Sequence, residues 1–163
     1  ARPQAAGRAG SRAITIGAGL TDVSDHPWRY QWKARLFWSP PVRALAATAG
    51  YLPGRMVGLG ADLPRGVYED WRRWCLSPGW HLSDVGRTLP LPDPARVTAR
   101  LRMIAVADDD LVPPKAVWRA RALYPEATKE QKVLRPADFG LASIGHIPPF
   151  TRRNAVLWPA ILD

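Results

Sequence analysis

The fold is limited most strongly by residues 101–114, which combine an apolar run, three successive aspartates and two prolines. The apolar run at 101–107 has the length and composition of a buried strand. Asp108, Asp109 and Asp110 close this strand, and Pro113-Pro114 are typical of the first turn of a helix, which we expect to continue to about Tyr124. The sequence therefore predicts a strand, an acidic loop and a helix in direct succession.

Three further segments extend this pattern. Residues 12–19 form a short β-branched run ending in small residues, which predicts a buried strand and a tight loop. Residues 131–134 predict another short strand, followed by a glycine-containing loop at 139–149 and a helix at 154–162. Strands alternating with helices are typical of an α/β fold with a parallel sheet and a right-handed crossover.

Residues 27–80 differ in composition from the rest, since they hold six of the eight tryptophans and several helix-breaking prolines. We interpret the segment as a helical insertion. It includes a helix at about 64–76, whose apolar stripe would contain Val67, Trp71, Trp74 and Cys75. Residues 77–98 are expected to form a loop returning to the sheet.

Three tryptophans near the start of the insertion, Trp28, Trp32 and Trp38, allow several interpretations. They could pack against other helices, bind a ligand or contact a membrane surface, and packing is the interpretation we favour.

Composition argues against several classes of function. The net charge of +9 invites nucleic-acid binding, but 19 of the 23 basic residues are arginines scattered along the whole chain, so we predict no nucleic-acid partner. No apolar run approaches the roughly 20 residues of a membrane span. The single cysteine, Cys75, favours a cytoplasmic location, and no Cys/His cluster predicts a metal. Gly17-Ala18-Gly19 lacks the third glycine of a dinucleotide-binding motif, so no cofactor is predicted.

Candidate site residues lie at the carboxyl ends of the predicted strands. Asp108, Asp109 and Asp110 follow one strand, and His146 follows the next. Because the ends of adjacent parallel strands meet at one edge, a carboxylate here can orient an imidazole that accepts a proton from a nucleophile. The residues alone leave the choice among the three aspartates open, and a solvated turn is the alternative. The other two histidines, His26 and His81, lie in or beside the insertion and are interpreted as structural.

Two loops resemble those of the α/β-hydrolase family. Residues 107–114 resemble the family's acid loop, and residues 144–150 resemble its histidine loop, in the same order along the chain. In many members the catalytic acid lies four residues before a proline. The resemblance therefore implies Asp109 as the acid, with Asp108 as second choice, and His146 as the catalytic histidine.

The resemblance extends over nearly the whole chain, because residues 51–55, 58–74 and 157–158 look like a bacterial branch of the same family. It implies the C-terminal part of an α/β-hydrolase parallel sheet with a helical cap insertion. The partial core would comprise 1–26 and 81–163, and the cap would comprise 27–80.

The family's nucleophile motif, Gly-x-Ser-x-Gly, is absent from the sequence, since none of the six serines has the flanking glycines. We therefore expect the nucleophile to lie upstream, and we expect this chain alone to be inactive. The resemblance implies a serine-type hydrolase acting on small-molecule ester or related acyl substrates. The incomplete sheet would also expose an apolar edge prone to self-association. The alternative hypothesis is a non-catalytic, hydrolase-like binding scaffold.

Overall fold

A three-stranded parallel sheet lies at the centre of the fold. The computed structural model describes residues 12–91 and 97–163. The sheet has the order β1-β4-β5, and its strands are β1 (Arg12–Ile16), β4 (Arg100–Val106) and β5 (Lys129–Leu134). Ile16 pairs with Ile104, and Val106 pairs with Leu134, so the carboxyl ends of all three strands meet at one edge. The predicted α/β class with a parallel sheet is confirmed.

The middle strand, β4, is buried on both faces because helices cover both sides of the sheet. Leu101, Met103 and Ala105 pack with α4 (Pro114–Arg119). The alternate residues Ile104 and Val106 pack on the other face, with residues that include Ile161 of α5 (Trp158–Leu162). This two-sided burial explains why residues 103–106 of β4 are all apolar instead of alternating between apolar and polar.

The loop after β1 packs closely against the start of α4. The N–H of Leu20 donates to the Ala116 carbonyl at 3.1 Å, and a Cβ on Gly19 would lie 2.6 Å from the same oxygen. Because no side chain fits in this space, glycine is required here for the backbones to approach.

An ion pair between a buried aspartate and a partly exposed arginine fixes the same loop further along the chain. Arg119 donates to both carboxylate oxygens of Asp25, at 2.7 and 2.6 Å, and the Asp22 N–H donates to Asp25 at 3.0 Å. Burial alone would raise the pKa of Asp25, but these hydrogen bonds and the charges of Arg119 and Lys115 hold it below its usual range. The pair therefore ties the start of residues 27–80 to the sheet.

Residues 27–80 contain three helices and one pair of short strands. The helices are α1 (Trp28–Phe37), α2 (Pro40–Ala49) and α3 (Arg65–Cys75), and the antiparallel strands are β2 (Tyr51–Leu52) and β3 (Leu63–Pro64). Trp38, Ala46, Leu52 and Tyr68 of this segment form a hydrophobic cluster with Val23 of the preceding loop. This cluster is separate from the two clusters that cover the faces of the sheet. The helical character predicted for the segment is confirmed, although the β2-β3 pair was not foreseen.

The buried face of α3 differs from the predicted stripe. Val67 is about half exposed, whereas Tyr68 is fully buried with Trp71 and Cys75 against it. Tyr68 belongs to the buried face because its ring fills the core and its hydroxyl donates to the Phe37 carbonyl at 3.2 Å.

Several predicted boundaries were also wrong. The α4 helix ends at Arg119 and continues as a 3-10 turn, Ala120–Leu123. β5 begins at Lys129, two residues earlier than predicted. In place of the single helix predicted for 154–162, a 3-10 segment, Arg152–Leu157, precedes the short helix α5. The α-helix does not begin earlier because the backbone of Asn154 is non-helical and its side-chain amide donates to the Pro148 carbonyl.

The loop predicted at 77–98 contains a 3-10 turn, Trp80–Asp84. Residues 92–96 of that loop, and 1–11 of the predicted core, lie outside the described residues. Among those described, no helix has the length and apolar character needed to cross a membrane.

Candidate functional site

Asp109 and His146 meet at the carboxyl edge of the sheet. Asp109 Oδ2 lies 2.7 Å from His146 Nδ1, and the aspartate side chain is fully buried while that of His146 is about a quarter exposed. Because a carboxylate oxygen accepts, the Nδ1 atom carries the proton of this hydrogen bond. Nε2 is then the ring nitrogen left to accept a proton.

The backbone of the acid loop fixes the other oxygen of Asp109. Oδ1 accepts the N–H groups of Leu111 and Val112, at 2.9 and 2.8 Å. Asp109 therefore closes its own loop directly before Pro113, which lies at the start of α4. These two bonds hold the carboxylate in place and leave Oδ2 for the histidine.

The other two aspartates have different partners. Asp108 accepts the N–H groups of Ile144 and Gly145, at 2.8 and 3.2 Å, so it binds the backbone of the histidine loop and not the ring. Asp110 is exposed, and its backbone carbonyl lies 2.7 Å from His26 Nδ1. Of the three aspartates, only Asp109 contacts the His146 ring through its carboxylate.

Gly17, at the end of β1, lies directly against the Asp109–His146 pair. Its φ is +57°, and a Cβ at this position would lie 3.2 Å from His146 Nδ1 and 3.3 Å from Asp109 Oδ2. Its N–H donates to the Ile104 carbonyl at 2.9 Å. Glycine is therefore favoured twice, by the left-handed backbone and by the tight space beside the pair.

A cavity of about 650 Å³ lies between this edge of the sheet and residues 27–80. His146 and Gly17 line one side, and Phe37, Trp38 and Trp71 are among the aromatic residues lining the other. A largely apolar space with a few polar groups is typical of small-molecule sites. The imidazole is thus exposed to a space suited to an apolar ligand.

His26 and Tyr30 add polar groups to the cavity wall. Their rings lie 4.5 Å apart, and His26 Nδ1–H donates to the Asp110 carbonyl. Burial raises the pKa of the Tyr30 phenol, and nearby acidic groups add to the rise, so the hydroxyl remains a donor at neutral pH. His26 was interpreted as structural, but it lines the cavity together with His146. His81 is not among the lining residues.

Cys75 also lines the cavity, at the end of α3. Burial, with a contribution from the Asp22 charge, raises the pKa of its thiol to about 12. Since the thiolate is the reactive form, the thiol is poorly suited to act as a nucleophile here.

The described residues contain no group of three or more His, Cys, Asp or Glu side chains arranged to hold a metal ion. The polar groups at this edge can supply acid–base chemistry at His146 and hydrogen bonds from its neighbours.

Comparisons with known proteins found similar solved structures but no matching family model or curated protein. Two solved structures are similar, Rv0554 from Mycobacterium tuberculosis and BpoC, a proposed non-heme bromoperoxidase from M. tuberculosis H37Rv. Their sequence identities are 17% and 18%, each with a TM-score of 0.36 over 92% of this chain. The chain spans 54% and 56% of their lengths.

The sequence indicated two residues that meet at this edge and did not indicate the contacts of three others. The two are Asp109 and His146, which the structure brings into hydrogen-bond contact. Gly17, His26 and the backbone contacts of Asp108 were missed, because these depend on which loops meet across the sheet. The only local signal was the position of Gly17 directly after a predicted strand.

Proposed function

We propose that the chain supplies the orienting and proton-transfer half of the active site of a serine-type α/β-hydrolase. The observation that carries the proposal is the 2.7 Å hydrogen bond between Asp109 and a His146 ring that lines the cavity. A buried carboxylate, a fixed Nδ1–H and an accessible Nε2 are what a general base of this kind requires.

Each residue has one task in the proposed reaction. His146 Nε2 takes the proton from a serine hydroxyl as that oxygen attacks a substrate carbonyl, and returns it to the leaving group. Asp109 holds the ring in the required tautomer and stabilises the imidazolium that forms. Asp108 binds the backbone next to His146, so it acts as a positioning residue.

The serine lies outside this sequence in this proposal, because none of the six serines has the flanking glycines of a nucleophile turn. Members of a triad act as a unit, so this chain alone should show no triad-dependent turnover.

The substrate class follows from the cavity. Residues 27–80 act as a cap in this proposal, and 12–26 with 81–163 belong to the core. Aromatic side chains dominate the cap side of the cavity, which favours ester or related acyl substrates with an apolar acyl group. Tyr30 and His26 add donors for a polar part of the substrate.

Ester turnover tests the proposal in a protein that includes the coding sequence upstream of Ala1. We expect hydrolysis of nitrophenyl esters, and a loss of at least roughly 10³-fold in kcat for H146A. The matched control is H81A, which changes a histidine that is not among the cavity-lining residues. Undiminished turnover in H146A would contradict the proposal.

A binding scaffold is the second candidate, and the cavity favours it, since an aromatic-lined space is present and no serine of this sequence has the nucleophile motif. A scaffold would bind acyl ligands with the upstream sequence present, yet show no His146-dependent turnover. Calorimetry with a fatty-acid ester, alongside the turnover assay, separates the two functions.

A further inference from the structure

The outward face of α1 carries three large apolar side chains. Trp28, Trp32 and Leu36 are spaced four residues apart, which places them along one side of a helix, and they are 71, 53 and 61% exposed. The cavity is lined by Tyr30, Ala34 and Phe37, which lie on the opposite side of the same helix. We call Trp28, Trp32 and Leu36 the outer stripe.

Basic residues flank the outer stripe. Arg29 lies on one side of it in the helical projection and Arg35 lies on the other, and both are exposed. Lys33 is also exposed, but it lies further round the helix and lines the cavity. The helix contains no acidic residue, so its ten residues carry a charge of +3. The Arg29 guanidinium lies 5.4 Å from the centroid of the Trp28 ring. A helix of this pattern presents an apolar stripe with cationic edges.

We propose that α1 binds an anionic lipid surface through the outer stripe. Tryptophan prefers the boundary between headgroups and acyl chains, and arginine and lysine bind the lipid phosphates from either side of it. The proposal concerns a surface away from the cavity, and it does not depend on the proposed hydrolase chemistry.

The size of the stripe favours lipid over a protein partner. A stable protein interface buries about 800 Å² on each side. The exposed parts of Trp28, Trp32 and Leu36 offer roughly 400 Å², which is small for a protein interface but sufficient for an interfacial helix. Cationic residues on both sides also match an anionic bilayer better than a second copy of this chain, whose stripe has the same charge.

Vesicle flotation tests the proposal on the 163-residue chain. We expect the chain to float with mixed phosphatidylcholine and phosphatidylglycerol vesicles and not with pure phosphatidylcholine. The double variant R29Q/R35Q should bind roughly 25-fold more weakly, since each basic residue near the surface contributes about five-fold. The double variant W28S/W32S should lose at least roughly ten-fold, because the apolar contacts with the bilayer are removed.

Two matched controls separate the stripe from general charge and general exposure. R152Q/R153Q removes the same charge from two exposed arginines away from α1, and F150S removes an exposed aromatic ring elsewhere. Both should bind as the unchanged chain does. Circular dichroism of each variant confirms that the fold is retained.

Three results would overturn the proposal. One is absence of binding to anionic vesicles, and another is an equal loss in R29Q/R35Q and R152Q/R153Q, which would assign the binding to net charge. The third is a dimer in sedimentation velocity that W28S/W32S abolishes, without vesicle binding. A second copy of the chain would then be the occupant of the outer stripe.

Discussion

Replacing Asp109 by Asn tests the hydrogen bond on which the site depends. The amide oxygen can still accept the N–H groups of Leu111 and Val112, which lie 2.9 and 2.8 Å from Oδ1. The other position becomes an NH₂ group, which faces Nδ1 as a second donor. We therefore expect the neutral His146 ring to change from the Nδ1–H to the Nε2–H tautomer, so that Nδ1 accepts.

The expected loss of stability is moderate, because only one of the three bonds to Asp109 changes. A hydrogen bond to a charged group contributes about 1.5–3 kcal/mol, and the partial exposure of His146 places this one near the lower end. We expect D109N to lower the free energy of unfolding by about 1.5 kcal/mol. D109A, which removes all three hydrogen bonds, should cost about 3 kcal/mol.

Nitrogen-15 NMR of the imidazole rings reports the tautomer directly. His26 and His81 are assigned first by their Gln variants, which leaves the His146 signals. The neutral His146 ring should be in the Nδ1–H form in the unchanged chain and in the Nε2–H form in D109N. The reasoning is refuted if the unchanged chain shows Nε2–H, or if D109N leaves the tautomer unchanged.

Three further substitutions test the surroundings of the pair. G17A should cost about 1–2 kcal/mol, because alanine resists the positive φ, and its Cβ, 3.2 Å from His146 Nδ1, should shift the ring signals. D108N, measured by unfolding, should cost about 1 kcal/mol, since one of its two acceptor oxygens is lost. D25N should cost about 2 kcal/mol at neutral pH, less than a fully buried pair because Arg119 is partly exposed. Because the pKa of Asp25 is lowered by folding, its contribution is present above about pH 4 and is lost below that value.

Different results would count against each prediction. Unchanged His146 signals in G17A would mean that the close approach does not constrain the ring. If D108N unfolds at the same denaturant concentration as the unchanged chain, the positioning role proposed for Asp108 is contradicted. A difference between D25N and the unchanged chain that does not decrease as the pH falls below about 4 would contradict the origin assigned to the Asp25 contribution. D110N, which changes an exposed carboxylate next to the same site, is the control for all three.

The sheet could be predicted because its signals are local. β4 is buried on both faces, so residues 103–106 form an apolar run, and the aspartates and prolines that follow mark its end. The choice of Asp109 came from its distance to Pro113 in a familiar pattern. That choice agrees with the geometry because the carboxylate must accept two N–H groups of its own loop before α4 begins.

The remaining features depend on contacts between distant parts of the chain. The buried face of α3 was predicted with Val67 instead of Tyr68, since the sequence does not show that Phe37 provides an acceptor for the tyrosine hydroxyl. His26 was set aside because nothing near it in the sequence indicates its contact with Asp110, 84 residues away. Asp108 and the backbone of residues 144–145 meet only because β4 and β5 are neighbours in the sheet.

Mapping the residue labelled by a fluorophosphonate tests the central claim most directly. The measurement uses the protein with the coding sequence upstream of Ala1, and mass spectrometry identifies the modified serine. We predict that the label lies upstream of Ala1, within a Gly-x-Ser-x-Gly motif, and that H146Q abolishes labelling while H81Q does not. A label on one of the six serines of this chain, or undiminished labelling in H146Q, would contradict the account.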